Sequence, residues 1–207
     1  LGGVSEEERA AAVDQIAQTL SREGSAPYII YNGASSARGA LGYVEAAAEI
    51  WEQISSNAES AAIRNVCIPG GNGGLAAGFI YGTALLGNPF HVELISVEHE
   101  AEPLREIISA FLKDLEKLCG VPMPCPLEQT ATLHGAYRFG GWGVITPEVE
   151  EFCIRFARTE GIFIEKVYTC KTLYGMCDLA KKGYFHDGAC YLHSGGIGAL
   201  FSQYHIP

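Results

Sequence analysis

A run of glycines between a predicted strand and a predicted helix is the part of this sequence best suited to chemistry. The run reads Pro-Gly-Gly-Asn-Gly-Gly and occupies residues 69–74. Because glycine has no side chain, a phosphate can approach the backbone N–H groups closely, and the dipole of the following helix favours the anion. The sequence therefore predicts an anion-binding loop at this position.

Three interpretations of this loop are open on the residues alone. The pattern Gly71-x-Gly73-x-x-Ala76 matches a dinucleotide fingerprint, and Glu93 or Glu98 follows at about the spacing of a ribose-binding acid. The same loop suits the phosphate of pyridoxal 5'-phosphate (PLP). The third interpretation is structural, since glycines also let a helix and a strand pack closely together.

Strands and helices that alternate along the chain must position this loop. The apolar periodicity predicts strands at 27–31, 65–68, 92–97, 162–167 and 190–193. It predicts helices at 39–55, 75–86, 104–119 and 173–182, together with helices that begin at the capping box Ser5-x-x-Glu8 and at Thr146-Pro147. Residues 121–143 hold three prolines and four glycines and predict an irregular, lid-like or active-site loop. The alternation predicts an α/β fold of three layers (αβα) with a mainly parallel sheet in the middle.

Charge and composition narrow the classes of partner. The net charge of −10 disfavours nucleic acid and anionic membrane surfaces, because both require a basic face. No apolar run approaches the roughly 20 residues that span a bilayer, and the first residues do not read as a signal peptide. The seven cysteines form no Cys-x-x-Cys pair, which predicts free thiols in a reducing cytoplasm and no metal site.

Several motifs occur along nearly the whole chain in an order found in one enzyme family. Residues 157–162 read Ala-Arg-Thr-Glu-Gly-Ile, residues 168–171 read Tyr-Thr-Cys-Lys, and residues 193–196 read His-Ser-Gly-Gly. Upstream of them lie the stretch 28–43, the glycine loop and Gly141-Trp142-Gly143. With these motifs the sequence resembles the D-cysteine desulfhydrase / 1-aminocyclopropane-1-carboxylate (ACC) deaminase family of PLP enzymes.

The resemblance implies a fold and an assembly. It implies a partial type II PLP-enzyme fold (tryptophan synthase β-like), of which this chain is the C-terminal portion. Residues 1–207 would be mostly the large cofactor-binding domain, with part of the small domain near 28–60. The family's Schiff-base lysine lies upstream of the portion that this chain resembles, so the segment alone is expected to be inactive. The full-length protein is expected to be a homodimer.

The resemblance also implies roles for individual residues. Tyr168 matches the catalytic tyrosine that faces the substrate, and Thr169 matches the residue that touches the pyridine nitrogen of PLP. A hydroxyl at the second position is typical of the desulfhydrases, whereas the deaminases carry a carboxylate that keeps the ring nitrogen protonated. The residues implied to bind the cofactor through the glycine loop are Gly70, Gly71, Asn72, Gly73 and Gly74. Those implied on the substrate side are Trp142, His193 and Ser194.

The function implied is that of a PLP-dependent lyase acting on a small amino acid. D-cysteine, converted to pyruvate, ammonia and sulfide, is favoured over ring opening of ACC. The alternative is a non-catalytic relative that binds a partner or a phosphate ligand without turnover. The altered phosphate loop and the missing Schiff-base lysine motivate it: the family's Gly-Ser-Gly-Gly-Thr loop aligns with residues 67–71, where both hydroxyls are missing and Pro69 lacks an N–H. In a further departure, Cys170 replaces the family's glycine.

Overall fold

A four-stranded parallel sheet forms the centre of the protein in a computed structural model that describes residues 5–30 and 32–204. The strands are β1 (Ile63–Gly70), β2 (His91–Ser96), β3 (Ala131–His134) and β4 (Gly188–Tyr191), in the spatial order β3-β2-β1-β4. The helices are α1 (Glu6–Arg22), α2 (Ala37–Ser56), α3 (Gly74–Leu85), α4 (Ala101–Cys119), α5 (Leu127–Thr130), α6 (Pro147–Glu160), α7 (Thr169–Lys181) and α8 (Ile197–Gln203). The described residues up to Ala34 form one compact unit and those from Ser35 onwards another, and the sheet lies in the second.

Alternate residues of the central strands face opposite helical layers. Val66 and Ile68 of β1, with Val92 and Leu94 of β2, are fully buried against α2, α3 and α4. Ile95 points to the other face, where it packs with residues of α7. A sheet buried on both faces has apolar side chains on both, which explains why these strands read as nearly continuous apolar runs. The three-layer α/β architecture expected from the sequence is confirmed.

The strand order changes direction next to β1. Strands β1, β2 and β3 follow one another across the sheet, whereas β4 returns to the opposite side of β1. All three pairs are parallel, so the carboxyl ends of the strands share one edge. In open α/β sheets a ligand crevice forms where the order reverses, outside the carboxyl ends. Here the loops at that point are 71–73 and 192–196.

Two predicted strands are wrong. Residues 27–30 form no strand, and Tyr31 lies outside the described residues. Residues 162–167 also form no strand, because the carboxylate of Glu165 turns back to accept the N–H groups of Val167, Tyr168 and Thr169. This contact caps α7, which therefore begins four residues earlier than its apolar pattern predicts.

The remaining elements agree with their sequence signals more closely. Ser5 and Glu8 form the predicted capping box of α1, and Thr146 caps α6 with Pro147 in its first turn. The segment 121–143 is less irregular than expected, since it contains α5 and the edge strand β3. No helix within residues 5–30 and 32–204 is long and apolar enough to cross a membrane.

The half-buried thiol of Cys190 on β4 gives a pH-dependent contribution to stability. Burial raises the pKa of Cys190 from 9.0 to about 11. The unfolded chain therefore loses this proton before the folded chain does, and the stabilising contribution present below pH 9 is lost as pH rises towards 11. We expect the stability difference between the wild type and Cys190→Ala to shrink over this range, measured by urea unfolding at pH 8, 9, 10 and 11. A pH-independent difference would contradict the assignment.

Candidate active site

The glycine loop joins the end of β1 to the start of α3. Gly70 is the last residue of the strand, Gly71 and Asn72 form the turn, and Gly74 is the first residue of the helix. Gly73 is the N-cap, with φ of 89°, and no side chain caps the helix. The N–H groups of a first helical turn have no partner within the helix. The arrangement therefore suits an anion at the carboxyl edge of the sheet.

The loop begins four residues later than the alignment with Gly-Ser-Gly-Gly-Thr placed it. Cys67 and Pro69 lie inside β1, where they pair with Glu93 and Ile95 of β2, so they take no part in the turn. Residues 71–75 read Gly-Asn-Gly-Gly-Leu and match the family motif at all three glycines. The proline therefore removes no donor from the loop, although both hydroxyls of the family motif are still missing, because Asn72 and Leu75 take their places.

Tyr168 lies directly against the backbone of Gly71. A Cβ atom added to Gly71 would lie 2.9 Å from Cε1 of Tyr168 and 3.5 Å from Oε2 of Glu98. The first distance is short enough that a side chain at position 71 would displace the ring of Tyr168, whereas the second is an ordinary van der Waals contact. Glycine is thus required here so that the strand end, the phenol and the carboxylate can come together.

The hydroxyl of Tyr168 is held by Trp142, which lies in the turn before α6. Nε1 of Trp142 donates a hydrogen bond to the hydroxyl oxygen of Tyr168. Burial and then the charge of Glu98 outweigh this bond and raise the pKa of Tyr168, so the phenol keeps its proton at neutral pH. Within residues 5–30 and 32–204 no acceptor receives that proton. The structure thus brings two of the predicted residues together and leaves one hydrogen-bond donor free.

Thr169 is the first residue of α7, and its hydroxyl is engaged with Glu165. Its Oγ1 accepts the N–H of Glu165 at 2.7 Å and donates to the carbonyl oxygen of Glu165 at 3.1 Å. One lone pair of the hydroxyl oxygen remains free. Glu165 is 2% exposed and fixes the N-terminus of α7, which carries both Tyr168 and Thr169. Sequence reasoning missed this role, although an acid shortly before a helix is a recognisable cap signal.

The loop after β4 holds His193 and Ser194 at the same edge of the sheet. Nε2 of His193 lies 2.8 Å from the carbonyl oxygen of Phe163, and Nδ1 accepts the N–H of Gly195 at 3.2 Å. A neutral imidazole with its proton on Nε2 satisfies both contacts. These contacts join the His193 side chain to the backbone and not to Tyr168. The substrate-side role of His193 and Ser194 stays a prediction.

Lys171 ties α7 to the turn that carries Trp142. Its buried ammonium group donates to the carbonyl oxygens of Arg138 at 2.9 Å and Gly141 at 2.7 Å. Burial lowers the pKa of Lys171 from its ordinary value. Its neighbour Cys170 lies within α7 and is not among the residues with positive φ, so replacing the family's glycine there introduces no backbone strain.

Replacing Lys171 with methionine is expected to destabilise the protein by about 2–4 kcal/mol, because two buried carbonyl groups lose their donor. Lys182→Met is the matched control, since the side chain of Lys182 is 66% exposed, pairs with Asp178 and lies 6.0 Å from the centre of the Tyr137 ring without bridging two elements through carbonyl groups. We expect that control to change stability by less than about 1 kcal/mol. Urea unfolding followed by tryptophan fluorescence measures both, and equal effects would contradict the bridging role of Lys171.

Comparison with known proteins places this site in a family. The family model described as pyridoxal-phosphate-dependent enzyme matches residues 2–195. The chain belongs to this family of PLP-dependent enzymes. Candidate ACC deaminases of Pyrococcus horikoshii and Pyrococcus furiosus are each 34% identical to it over 188 residues, which are 91% of this chain and 55% of theirs. A crystal structure described as an ACC deaminase homologue matches it with a TM-score of 0.84 at 30% identity, over 98% of this chain and 60% of that one.

Family membership favours the interpretation of the glycine loop as a site for the phosphate of PLP. The family uses PLP, and the uncapped start of α3 fits its phosphate. Glu93, considered for a ribose, is instead buried in the middle of β2 and contacts Nε2 of His134 at 2.6 Å. Within the described ranges no group of three or more His, Cys, Asp or Glu residues could hold a metal ion. The chain spans about 55% of the length of the relatives it matches, in agreement with the expectation of a partial chain.

Proposed function

We propose that this chain supplies the phosphate-binding loop and the proton-donating tyrosine of a PLP-dependent lyase that acts on a small amino acid. The observation that carries the proposal is the position of Tyr168. Its half-buried phenol lies between Gly71 and Trp142, at the carboxyl edge of the sheet and beside the loop that opens α3. A protonated phenol with a free donor at that edge can act as a general acid.

Each part of the site has its own task in this proposal. The N–H groups at the start of α3 would hold the cofactor phosphate, and the hydroxyl of Thr169 would contact the ring nitrogen. PLP, when bound, supplies an electron sink that stabilises negative charge on the α-carbon of the substrate. Tyr168 holds a proton on its hydroxyl oxygen and donates it to the departing group. Glu165 and Lys171 keep α7 and the turn at Trp142 in place.

We further propose that D-cysteine is preferred to ACC. Thr169 supports this preference because a neutral hydroxyl protonates the ring nitrogen less than a carboxylate does. A weaker electron sink is sufficient to remove an α-proton and expel sulfide, whereas opening a cyclopropane ring demands more. The names of the Pyrococcus relatives point to ACC, so the two substrates must be compared directly.

The test uses the purified full-length protein with bound PLP, checked by its absorbance spectrum. D-cysteine should yield sulfide, pyruvate and ammonia in equal amounts, and at a higher kcat/KM than that for ammonia and 2-oxobutanoate from ACC. A higher kcat/KM with ACC would overturn the substrate preference. Bound PLP without turnover of either compound would overturn the lyase proposal for these substrates.

A second candidate is a non-catalytic relative that binds a phosphate ligand at the start of α3. The absence of both hydroxyls of the family's phosphate motif, at Asn72 and Leu75, supports this alternative. Mass spectrometry of the natural gene product distinguishes the two: a mass near 22.2 kDa favours the second candidate, and a much larger mass favours the lyase. Light scattering of the same sample tests the proposed homodimer, and cell fractionation tests the proposed cytoplasmic location.

A further inference from the structure

We infer that Cys153 and Cys170 form a redox site, in which hydrogen peroxide converts the two thiols into a reversible disulfide between α6 and α7. The inference goes beyond the proposed function, which uses neither thiol. Cys153 lies in the middle of α6, and Cys170 is the second residue of α7. Both are free cysteines buried in one apolar cluster, which also contains Ile164.

The backbone of α6 brings the two sulfur atoms together. Sγ of Cys170 donates to the carbonyl oxygen of Val149 at 3.2 Å. In an α-helix that carbonyl group also accepts the N–H of the residue four positions later, which is Cys153. The side chain of Cys153 leans towards the N-terminus of α6 and therefore towards the same turn. The thiol of Cys170 consequently lies beside that of Cys153, and the two interact directly.

An apolar cavity gives small molecules access to Cys153. The cavity has a volume of about 460 Å³, and Cys153 is among the residues that line it. Phe163 and Phe201 form part of its wall and are 59% and 71% exposed, so the cavity opens to solvent. Cys170, in contrast, is fully buried. A small uncharged oxidant such as hydrogen peroxide therefore reaches Cys153 first.

The neighbours of Cys153 favour its thiolate, which is the reactive form of cysteine. Hydrogen bonding from Cys170 is the largest influence, and a hydrogen bond from Tyr204 and the charge of Lys166 act in the same direction. Burial and the charge of Glu165 oppose them, but the net effect lowers the pKa of Cys153 from 9.0 to about 7. The pKa of Cys170 is raised, first by its hydrogen bond to Cys153 and then by burial. Cys153 is therefore the attacking sulfur, and Cys170 keeps its proton until the second step.

Two steps form the disulfide. The thiolate of Cys153 attacks one oxygen of hydrogen peroxide, the O–O bond breaks, and the hydroxide that leaves takes up the proton that Cys153 had released. The sulfur of Cys170 then attacks the sulfur of the resulting sulfenic acid, whose hydroxyl group leaves as water with the proton of Cys170. Overall the two thiols lose two hydrogen atoms, and hydrogen peroxide is reduced to two water molecules. The S–H group that donates from Cys153 to the carbonyl oxygen of Ile164 at 3.0 Å is lost in the process.

Peptide mapping of the full-length protein tests the disulfide directly. Trypsin cleaves after lysine and arginine, so Cys153 falls in the peptide 139–155 and Cys170 in the peptide 167–171. After treatment with hydrogen peroxide and alkylation of the remaining thiols, we expect these two peptides to be linked, with a mass two hydrogen atoms below their sum. Dithiothreitol should restore both separate peptides.

The variant Cys170→Ser tests the order of the two steps. Without the second thiol the reaction should stop at the sulfenic acid, which dimedone labels at Cys153. A variant that melts at the temperature of the wild type and gives no dimedone adduct at Cys153 would overturn the assigned order. If the variant does not fold, the peptide map of the wild type alone decides whether the disulfide forms.

The chain also supplies controls for the linkage. Cys67 and Cys190 lie on the paired strands β1 and β4, but burial raises the pKa of both thiols, so this pair should stay reduced. Cys119 is exposed and lies outside the cluster, and Cys119→Ser should leave the linkage unchanged. The inference is overturned if Cys153 stays reduced while Cys119 is oxidised, or if Cys67 and Cys190 become linked to the same extent. None of these measurements requires PLP or turnover, so their outcome is independent of the proposed function.

Discussion

Tyr168→Phe is expected to lower kcat of the full-length protein about 100-fold or more, with a much smaller change in KM. The substitution removes only the hydroxyl group, so the ring still packs against Gly71. What is lost is the proton that the phenol donates, and general acid catalysis typically contributes 10²–10⁴-fold to a rate. Sulfide release from D-cysteine under saturating conditions measures the effect.

Two further measurements separate catalysis from structure in this variant. The absorbance of bound PLP should be retained, because Tyr168 does not form the phosphate-binding turn. Tyr174→Phe is the matched control on the same helix: its hydroxyl contacts Glu148 at the surface, away from the glycine loop. We expect that control to change kcat less than about twofold. If both variants lose activity equally, or if Tyr168→Phe loses PLP, the catalytic role of Tyr168 is wrong.

Gly78→Ala is expected to destabilise the protein by about 3 kcal/mol, at the upper end of the range for overpacked sites. A Cβ atom at this position of α3 would lie 2.2 Å from the carbonyl oxygen of Ala40 and 3.0 Å from its carbonyl carbon, both in the backbone of α2. Neither atom can rotate away as a side chain could, so the two helices would have to separate. Urea unfolding of the full-length protein measures the change.

The control for this prediction lies on the partner helix. Gly42 is within α2, and a Cβ atom there would meet nothing within 4 Å. Alanine lowers the backbone entropy of the unfolded chain, so Gly42→Ala should stabilise the protein by about 0.5–1 kcal/mol. If Gly78→Ala lowers the free energy of unfolding and Gly42→Ala raises it, the close contact between α2 and α3 at Gly78 causes the difference, and not the loss of a glycine as such. A destabilisation of less than about 1 kcal/mol at Gly78 would contradict the contact.

The fold could be predicted from the sequence where each local signal matched its tertiary setting. The strand at 65–68, the glycine loop and the following helix are such a case, because the second half of β1 and nearly all of α3 are buried and apolar. The predicted strand at 162–167 failed for the opposite reason. Its apolar residues Ile162 and Phe163 are exposed, and the backbone turns to meet the carboxylate of Glu165. A contact between a side chain and the backbone leaves no periodic trace in the sequence.

The candidate site was also predictable from the sequence only in part. The glycine run indicated chemistry at Gly71 from residue types, whereas Tyr168 and Trp142 were implied only by the family resemblance. The parallel sheet accounts for Gly71 lying at the carboxyl edge. Their mutual contacts depend on how far the ring of Tyr168 reaches and on the turn that Lys171 holds, which no pattern of residue types encodes. Glu98 was overlooked as part of this site because a single acid after a strand is common.

The pairing of β4 with β1 affects how the protein folds during its synthesis. β1 pairs with a strand about 120 residues further along the chain, whereas the pairings of β1 with β2 and of β2 with β3 are much more local. Contacts of long sequence separation form late in folding, because a large loop must close first. During synthesis, one edge of β1 therefore stays unpaired until residues 188–191 leave the ribosome, and an unpaired edge invites aggregation. Slowing translation just before residue 188 should accordingly lower the soluble yield more than slowing it between β1 and β3.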